Sequence, residues 1–517
     1  MARDWLQDVI AEHPEIAVAQ ETNWVRIGLN HDQLVDWIGK LKDDWAFGAM
    51  VAEVDPDHKI QLLYLFYGAN TPWIGLQVTA DEAFLPSISS MVFAADWQER
   101  EIEDLYEIRF QGHPQLGNFV LHDEIWPEGM APMLSSFLNA PGQTPARNGV
   151  SHPQIVHAPG AFVMPVGPVY SGVGESIRFH LETVGEEIIF AHLRPFYKYR
   201  AIEKLMQGRS PEEVLLIAER IDGLSAFAHS LALAQALEAL GPCPVPARAD
   251  GLRVLWAEWE RIRSHVKTLG AILESTGLTV PANLLAAWEE ELLQLAAVYT
   301  GHRYLFGLNR LGGLARNWTH DEIQTLLEET GRIVGQVLTI TEDLTFDNSF
   351  LDRLERVGHL SRDLAVTYGL VGPVARASGL QRDLRNWQPY SRYGQLNFRV
   401  PVQSEGDGYA RFRQFTQEIR ESRHLLEQIP ETLSGGGVRG SPAPFREGTA
   451  VGYCEGPAGA IVYGVWMDRR GHIERCRIIT PGLVNWHALP PAVRHFAFQD
   501  FPIILASFGL SVADLDR

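Results

Sequence analysis

The sequence predicts an α+β protein: a small α/β domain first, then a mainly helical domain that carries small β-segments. Three observations predict this. Residues 1–130 mix short β-like runs such as Ile60–Tyr67 with helical stretches such as Asp32–Leu41. From Pro127 to Gly160 the chain is rich in Pro, Gly, Asn and Ser, a composition that favours turns over packed periodic structure, so residues 131–160 are expected to form a linker. Beyond it, apolar residues recur with helical spacing over Arg253–Leu273, Ala282–Phe306, His320–Leu344 and Tyr409–Gln428, which suggests a helix bundle within a second domain spanning residues 161–517.

The elements of that second domain follow from local chemistry. Phe162–Phe190 reads as two short β-segments around a glycine-rich turn. Ser210 can cap a helix, Pro211 fits its first turn, and Glu212 and Glu213 sit at the positive end of its dipole, so a long helical pattern is expected to start there. Val451–Ile479 alternates in the manner of a β-hairpin with its turn near Arg469, Arg470 and Gly471.

Composition bounds the function. Of the 517 residues 46% are hydrophobic and 21% charged, with a net charge of -20. Nonspecific attraction to nucleic acid or to an anionic membrane surface is therefore not expected, whereas acidic patches suit basic partner subunits. Cys243, Cys454 and Cys476 form no CxxC pair, so the chain is expected to hold neither a disulfide framework nor an iron-sulfur cluster of its own, and the count suits a reducing cytosol. The N-terminal MARDWLQDVIAEH offers no basic-then-apolar signal. The most apolar long stretch, Val214–Leu240, is interrupted by Glu219, Arg220, Asp222 and His229, so any membrane association is expected to come through partners. There is no GxxxxGK[ST] loop, no HExxH and no GxSxG elbow, and the fragment GVGES is not read as a dinucleotide fingerprint.

Two sets of motifs carry a resemblance. The segment DWQEREIEDLYEIRFQGHP, Asp96–Pro114, resembles the signature of the C-type subunit of complex I and of the N-terminal part of formate hydrogenlyase large subunits. Its charges Glu99, Arg100, Glu101, Asp104 and Arg109 read either as an ion-pair network docking a neighbouring subunit or as a solvated helix end. From about Val163 onward the chain resembles the hydrogenase large subunit and the D-type subunit of complex I. That likeness rests on GPVYSGVGESIRFHLETVGEEI, YRAIEKL, ERIDGLSAFAHS, EWERIRSHV, GLNRLGG, GPVARASGLQRDLRNWQPYSRY and EGPAGA, in that order. The whole resembles a fused C-plus-D subunit of complex I and the large subunit of group 4 energy-converting [NiFe] hydrogenases.

In the resembled hydrogenases four cysteines in two CxxC pairs hold nickel and iron. Those positions fall here on Asp222 and Ser225, and on Ser511 and Asp514. Nickel and low-spin iron need soft sulfur donors, so no nickel-iron centre is expected in this chain. Oxygen donors would suit a hard cation, or the place is simply a polar cavity in which Asp222 pairs with Arg220 or a helix terminus. The resemblance to the D-type subunit implies quinone chemistry, but the His and Tyr that this subunit typically offers the head group fall on Gly174 and Gly223; Tyr170 or His229 would have to substitute, although a histidine on an apolar face is also read as a satisfied core residue. Proton movement is the third reading, with Glu175, Asp222, His265, Arg376, Asp383 and Asp407 at matching motif positions, while Arg376 and Asp383 also read as a loop brace.

Two functions are therefore carried forward. One is a peripheral-arm subunit of an NADH-quinone oxidoreductase-like complex, not itself a hydrogenase, that contacts a quinone and couples electron transfer to ion translocation. The other is a coupling or scaffold subunit without a redox reaction of its own. Both imply a hetero-oligomer, an iron-sulfur small subunit bearing the cluster, ion-translocating membrane-arm subunits, and a cytoplasmic position attached peripherally to the inner face of the cell membrane.

Overall fold

The computed structural model describes residues 16–42, 44–54, 59–80, 84–122, 124, 126, 130–134, 159–170, 174–441 and 443–517. Most of the expected linker 131–160 lies outside these residues. The fold is α+β, as the sequence predicts.

The N-terminal part is a five-stranded sheet in the order β1-β2-β5-β4-β3, built from β1 (Ala17–Gln20), β2 (Trp24–Leu29), β3 (Ala46–Val54), β4 (Ile60–Tyr67) and β5 (Trp73–Thr79). Only the β2–β5 pair is parallel, and helix α1 (His31–Leu41) follows β2. Helix α2 (Asp96–Tyr106) packs on β3, where Gln98 Oε1 accepts from the Met50 amide at 2.7 Å, and also reaches the second part of the chain.

The charges of α2 correct the expectation of a solvated or partner-docking network. Glu99 and Glu101 are buried. Glu99 accepts from Ser87 Oγ at 2.6 Å and from the Ile88 amide at 2.7 Å. Asp104 accepts from the amides of Phe119, Val120 and Leu121. Glu101 is bound by Arg477 and Arg517 from the other end of the sequence. The network joins two parts of one chain.

In the second part, β6 (Ala161–Val166), β7 (Arg178–Val184) and β8 (Glu187–Arg194) form an antiparallel sheet, one strand more than the two segments expected over Phe162–Phe190; Gly185, at φ +61°, makes the extra turn. Ser210 does cap a helix, through a reciprocal box with Glu213, but that helix stops at Ala218. The continuous pattern expected from there is broken over 219–225, and helix α3 (Ala226–Leu240) begins after the break. The long helices α4 (Ala247–Ser275), α5 (Thr279–Thr300), α6 (His320–Asp343) and α7 (Gly408–Thr432) form the bundle, α5 ending at Gly301 rather than reaching Phe306. Strands β9 (Gly448–Gly456), β10 (Gly459–Met467) and β11 (Ile473–Ile479) make a three-stranded meander instead of the expected hairpin; its second turn lies where the hairpin turn is predicted, and a further turn at Pro457–Ala458 separates β9 from β10. Helix α3 lies on β9 so closely that Gly452 has no room for a Cβ, which would stand 2.7 Å from the Ala236 amide nitrogen. Among the described residues no helix is long and apolar enough to cross a membrane.

Candidate functional site: two buried acid–base clusters on one helix

The first cluster forms where the broken segment 219–225, helix α3, strand β10 and residues 511–517 meet. His229, in the first turn of α3, is fully buried, and both its ring nitrogens are engaged. Its Nδ1 lies 2.9 Å from the Tyr463 hydroxyl and its Nε2 lies 3.2 Å from Asp514 Oδ1. The neutral imidazole fits by donating from Nε2 to the carboxylate and accepting the phenol proton at Nδ1; on protonation both nitrogens donate and the hydroxyl turns acceptor. Asp514 is fixed from its other side, since Oδ2 accepts from the Gly482 amide at 2.7 Å.

Asp222 stands beside this line. It accepts from Ser225 Oγ at 3.1 Å rather than pairing with Arg220, which binds Glu219 at 2.6 Å. Burial raises the Asp222 pKa, the negative charge of Asp514 raises it further, and His229 opposes both. Asp222 thus binds a proton more readily than an ordinary aspartate. Ser511 joins differently: its carbonyl accepts from Trp486 Nε1 at 3.1 Å.

The second cluster lies deeper in the bundle. Arg376 donates to Glu418 at 2.8 Å and to Glu455 at 2.8 Å, and its guanidinium also lies 3.3 Å from Asp383. Arg385 donates to Asp383 at 2.7 Å and to Glu258 at 3.0 Å. Arg261 binds Glu258 and the carbonyls of Glu455 and Gly456. His265 Nε2 lies 3.0 Å from Glu418. Three guanidinium groups face four carboxyls here, all buried. Burial opposes ionisation of Glu258, Asp383 and Glu418, but the arginines outweigh it and hold all three below the usual carboxylate range. The fourth, Glu455, is pushed up by burial and then by Asp383, against the pull of Arg376 and Arg261. Burial lowers the His265 pKa against the pull of Glu418.

One helix serves both clusters. Glu258 and Glu260 sit two residues apart on α4 and therefore point roughly 200° apart around its axis. Glu260 accepts from the Phe227 and Ala228 amides at 2.8 and 3.0 Å, holding the first turn of the helix that carries His229. Burial pushes its carboxyl up to about 7 against the pull of Arg263, with Asp222 adding to the rise.

The sequence-predicted residues thus divide. Asp222, Ser225, His229 and Asp514 come together in the first cluster, and His265, Arg376 and Asp383 in the second. Arg376 and Asp383 do brace their loop, but as part of a larger charge network. Asp407 is an N-cap: its two carboxylate oxygens accept from the Ala410 and Arg356 amides, each at 2.7 Å. Glu175 pairs with Lys198 at 2.8 Å on a partly exposed surface, and Tyr170 packs half-buried against the core. Sequence reasoning missed Tyr463, Glu258, Glu260, Glu418 and Glu455 as functional side chains. Tyr463 carried one signal, as the only hydroxyl in the otherwise apolar run GAIVYGVWM.

Comparison with known proteins gives the fold its relatives. Residues 27–141 match the family described as respiratory-chain NADH dehydrogenase, 30 Kd subunit. Residues 276–447 and 441–517 match respiratory-chain NADH dehydrogenase, 49 Kd subunit. Formate hydrogenlyase subunit 5 of Escherichia coli is 28% identical over 86% of this chain and 79% of its own length. Hydrogenase-4 component G of the same organism is 28% identical over 96% of this chain and 88% of its own. The fused C/D subunit of NADH-quinone oxidoreductase from Phocaeicola vulgatus is 27% identical over 84% of this chain and 87% of its own. The chain thus joins a segment of the 30 Kd subunit family and one of the 49 Kd subunit family in one polypeptide, and it is similar along most of its length to the fused C/D subunit of NADH-quinone oxidoreductase, to formate hydrogenlyase subunit 5 and to hydrogenase-4 component G.

Proposed function

We propose that this chain is a peripheral-arm coupling subunit of a membrane-associated respiratory oxidoreductase complex, and that the first cluster handles protons in place of a nickel-iron centre. The observation that carries the reading is the Tyr463–His229–Asp514 line with Asp222 beside it; Asp222 and Asp514 are two of the four positions where the resembled hydrogenases would carry cysteine ligands. Its chemistry is that of a relay: a phenol, an imidazole and a carboxylate within hydrogen-bond distance, beside a second carboxyl whose proton affinity burial raises.

The donor set supports the absence of nickel and iron. Asp222, Ser225, Ser511 and Asp514 offer oxygen where that centre needs thiolate sulfur, and Asp514 spends both oxygens on His229 and Gly482. Tyr463 and His229 are each 0% exposed, which favours proton transfer within the protein over direct contact with a quinone head group. Electrons would reach the complex through a cluster on an iron-sulfur small subunit. Ion-translocating membrane subunits would receive the protonic or conformational change, with this chain at the cytoplasmic face and anchored through them.

The test uses the intact complex carrying His229→Gln, Asp222→Asn or Tyr463→Phe. Ions moved per electron transferred should fall while electron transfer persists. Loss of quinone turnover itself with the ratio unchanged would favour a quinone site instead, and wild-type behaviour in all three variants would end the relay reading.

A further inference from the structure

We infer that Arg200 is a part-buried cation that cross-links the two chain segments bearing Asp222 and Asp514, and so sets the geometry of the relay. The inference rests on the relay reading for its functional consequence, while the cross-link itself can be tested separately.

Segments 219–225 and 511–517 lie almost three hundred positions apart in sequence, and in the resembled metal enzymes a cofactor bound to both would tie them together. Here a guanidinium does so. Arg200 Nη1 donates to the Arg220 carbonyl at 3.2 Å and Nη2 to the Ile221 carbonyl at 2.7 Å. On the other side Nη2 donates to the Ala513 carbonyl and Nε to the Asp516 carbonyl at 3.2 Å. Four main-chain oxygens, two from each segment, thus converge on one planar cation. The Arg200 amide adds a fifth bond, to the Asp516 carbonyl at 3.0 Å.

The residue is suited to this task by geometry more than by charge. A guanidinium presents five donors in a fixed plane and can grip oxygens on opposite sides, whereas an ammonium is a point with no such fork. All four of these acceptors are neutral carbonyls; the charge of Arg200 is felt instead at the Asp516 carboxyl, which burial pushes up to about 7 and the guanidinium draws back down. Arg200 is also absent from the leading causes of the Asp222 shift, which are burial, Asp514 and His229. Its effect on the relay is therefore one of position: Ile221 precedes Asp222, and Ala513 precedes Asp514. The next residue, Ala201, is held at φ +52°, in the left-handed region that an alanine rarely adopts, so the surrounding structure dictates this local backbone path. Arg200 is a positioning residue, only part-buried, and its cage opens toward solvent.

The test is Arg200→Ala in the full complex, read by hydrogen exchange and by the pH profile of ion flux per electron. Amides in 220–225 and 511–517 should exchange about tenfold faster, and together, because each segment loses the same anchor. Millimolar guanidinium chloride, far below denaturing concentrations, should slow both segments again and restore the pH profile, while equal sodium chloride should not. Unchanged exchange in both segments, loosening of one alone, or no response to guanidinium would overturn the cross-link. If Arg200→Ala does not assemble, Arg200→Lys keeps the charge without the fork. It should give intermediate exchange in both segments, and wild-type exchange in it would equally overturn the cross-link. Loosened segments with unchanged ion flux would sink the relay reading and leave the cross-link standing.

Discussion

Glu101 and Arg517 face each other across 416 residues of chain, with the Arg517 guanidinium 2.9 Å from each carboxylate oxygen. Arg477 adds a bond of 2.8 Å to the same carboxylate and reaches Glu203 at 3.2 Å. All four side chains are buried. The contact ties helix α2, from the N-terminal part, to the meander and the relay segment 511–517, alongside the packing of Trp97 on His487.

Removing Glu101 should therefore cost far more than a surface ion pair. Glu101→Ala leaves two buried guanidinium groups sharing one carboxylate, and a loss of about 3–5 kcal/mol is expected. Thermal unfolding measures it, and limited proteolysis should cut between the two parts of the chain before either is degraded. Unchanged melting would mean that this ion-pair network is not what holds the two parts together, and that other contacts such as the Asn23–Val451 and Gln388–Gly68 bonds do so.

Tyr463→Phe deletes only the hydroxyl that faces His229 Nδ1, in a strand buried at every position. The ring nitrogen is left without its partner, so about 1–3 kcal/mol of stability should be lost. His229→Gln should cost a similar amount in the same measurement. The double variant should cost less than the sum, because both changes break one bond.

The contrast between residues that were legible in sequence and those that were not follows from burial. Ser210 announced its helix because Ser-Pro-Glu-Glu places a cap, a first-turn proline and an N3 acid at fixed offsets. Asp222, Ser225 and His229 lie within a single eight-residue stretch and were readable as a group. Glu258 and Glu260 were not, because acids on a long helix ordinarily mark its solvated face, and α4 is buried on nearly every side. Strand β10 is buried on both faces, so it lacks the alternation that would have separated it from β9 and shown a meander instead of a hairpin. Asp407 misled for the opposite reason: an acid just before a long helical run is a cap by position, and the structure uses it as one.

The pH dependence of stability should carry two opposing slopes from one corner of the molecule. Burial pushes Glu99 up to about 7 from an ordinary 4.5 and pushes His487 down to about 4 from 6.5. Between pH 4.5 and 7 the native state binds more protons at Glu99 than the unfolded chain does, so this group makes stability fall as pH rises, by about 3 kcal/mol in all. Between pH 4 and 6.5 the unfolded chain binds more protons at His487, so that group makes stability rise with pH. The two largely cancel near pH 5–6. Glu99→Gln should unmask the rising slope, seen as a melting temperature that climbs from pH 4.5 to 6.5, and His487→Phe should unmask the falling one. Parallel pH profiles for wild type and both variants would refute the assignment.

Gly452 tests whether the relay depends on how closely helix α3 approaches the meander. A Cβ at this position would collide with the Ala232 carbonyl oxygen and come within 3.0 Å of Ala236 Cβ, both on α3. Neither can yield without moving the helix, since its first turn is held by Glu260 and its His229 is bound to strand and chain segment alike. Gly452→Ala should thus cost more than the usual 1–3 kcal/mol of overpacking, or else shift α3 outward and lengthen the His229–Tyr463 contact. Gly464, on the neighbouring strand, provides the control. A Cβ there meets mainly the Trp466 ring, the far end of a side chain, so Gly464→Ala should be the milder change. If the two variants melt alike and leave ion flux per electron untouched, the close approach of α3 to β9 has no part in setting the relay.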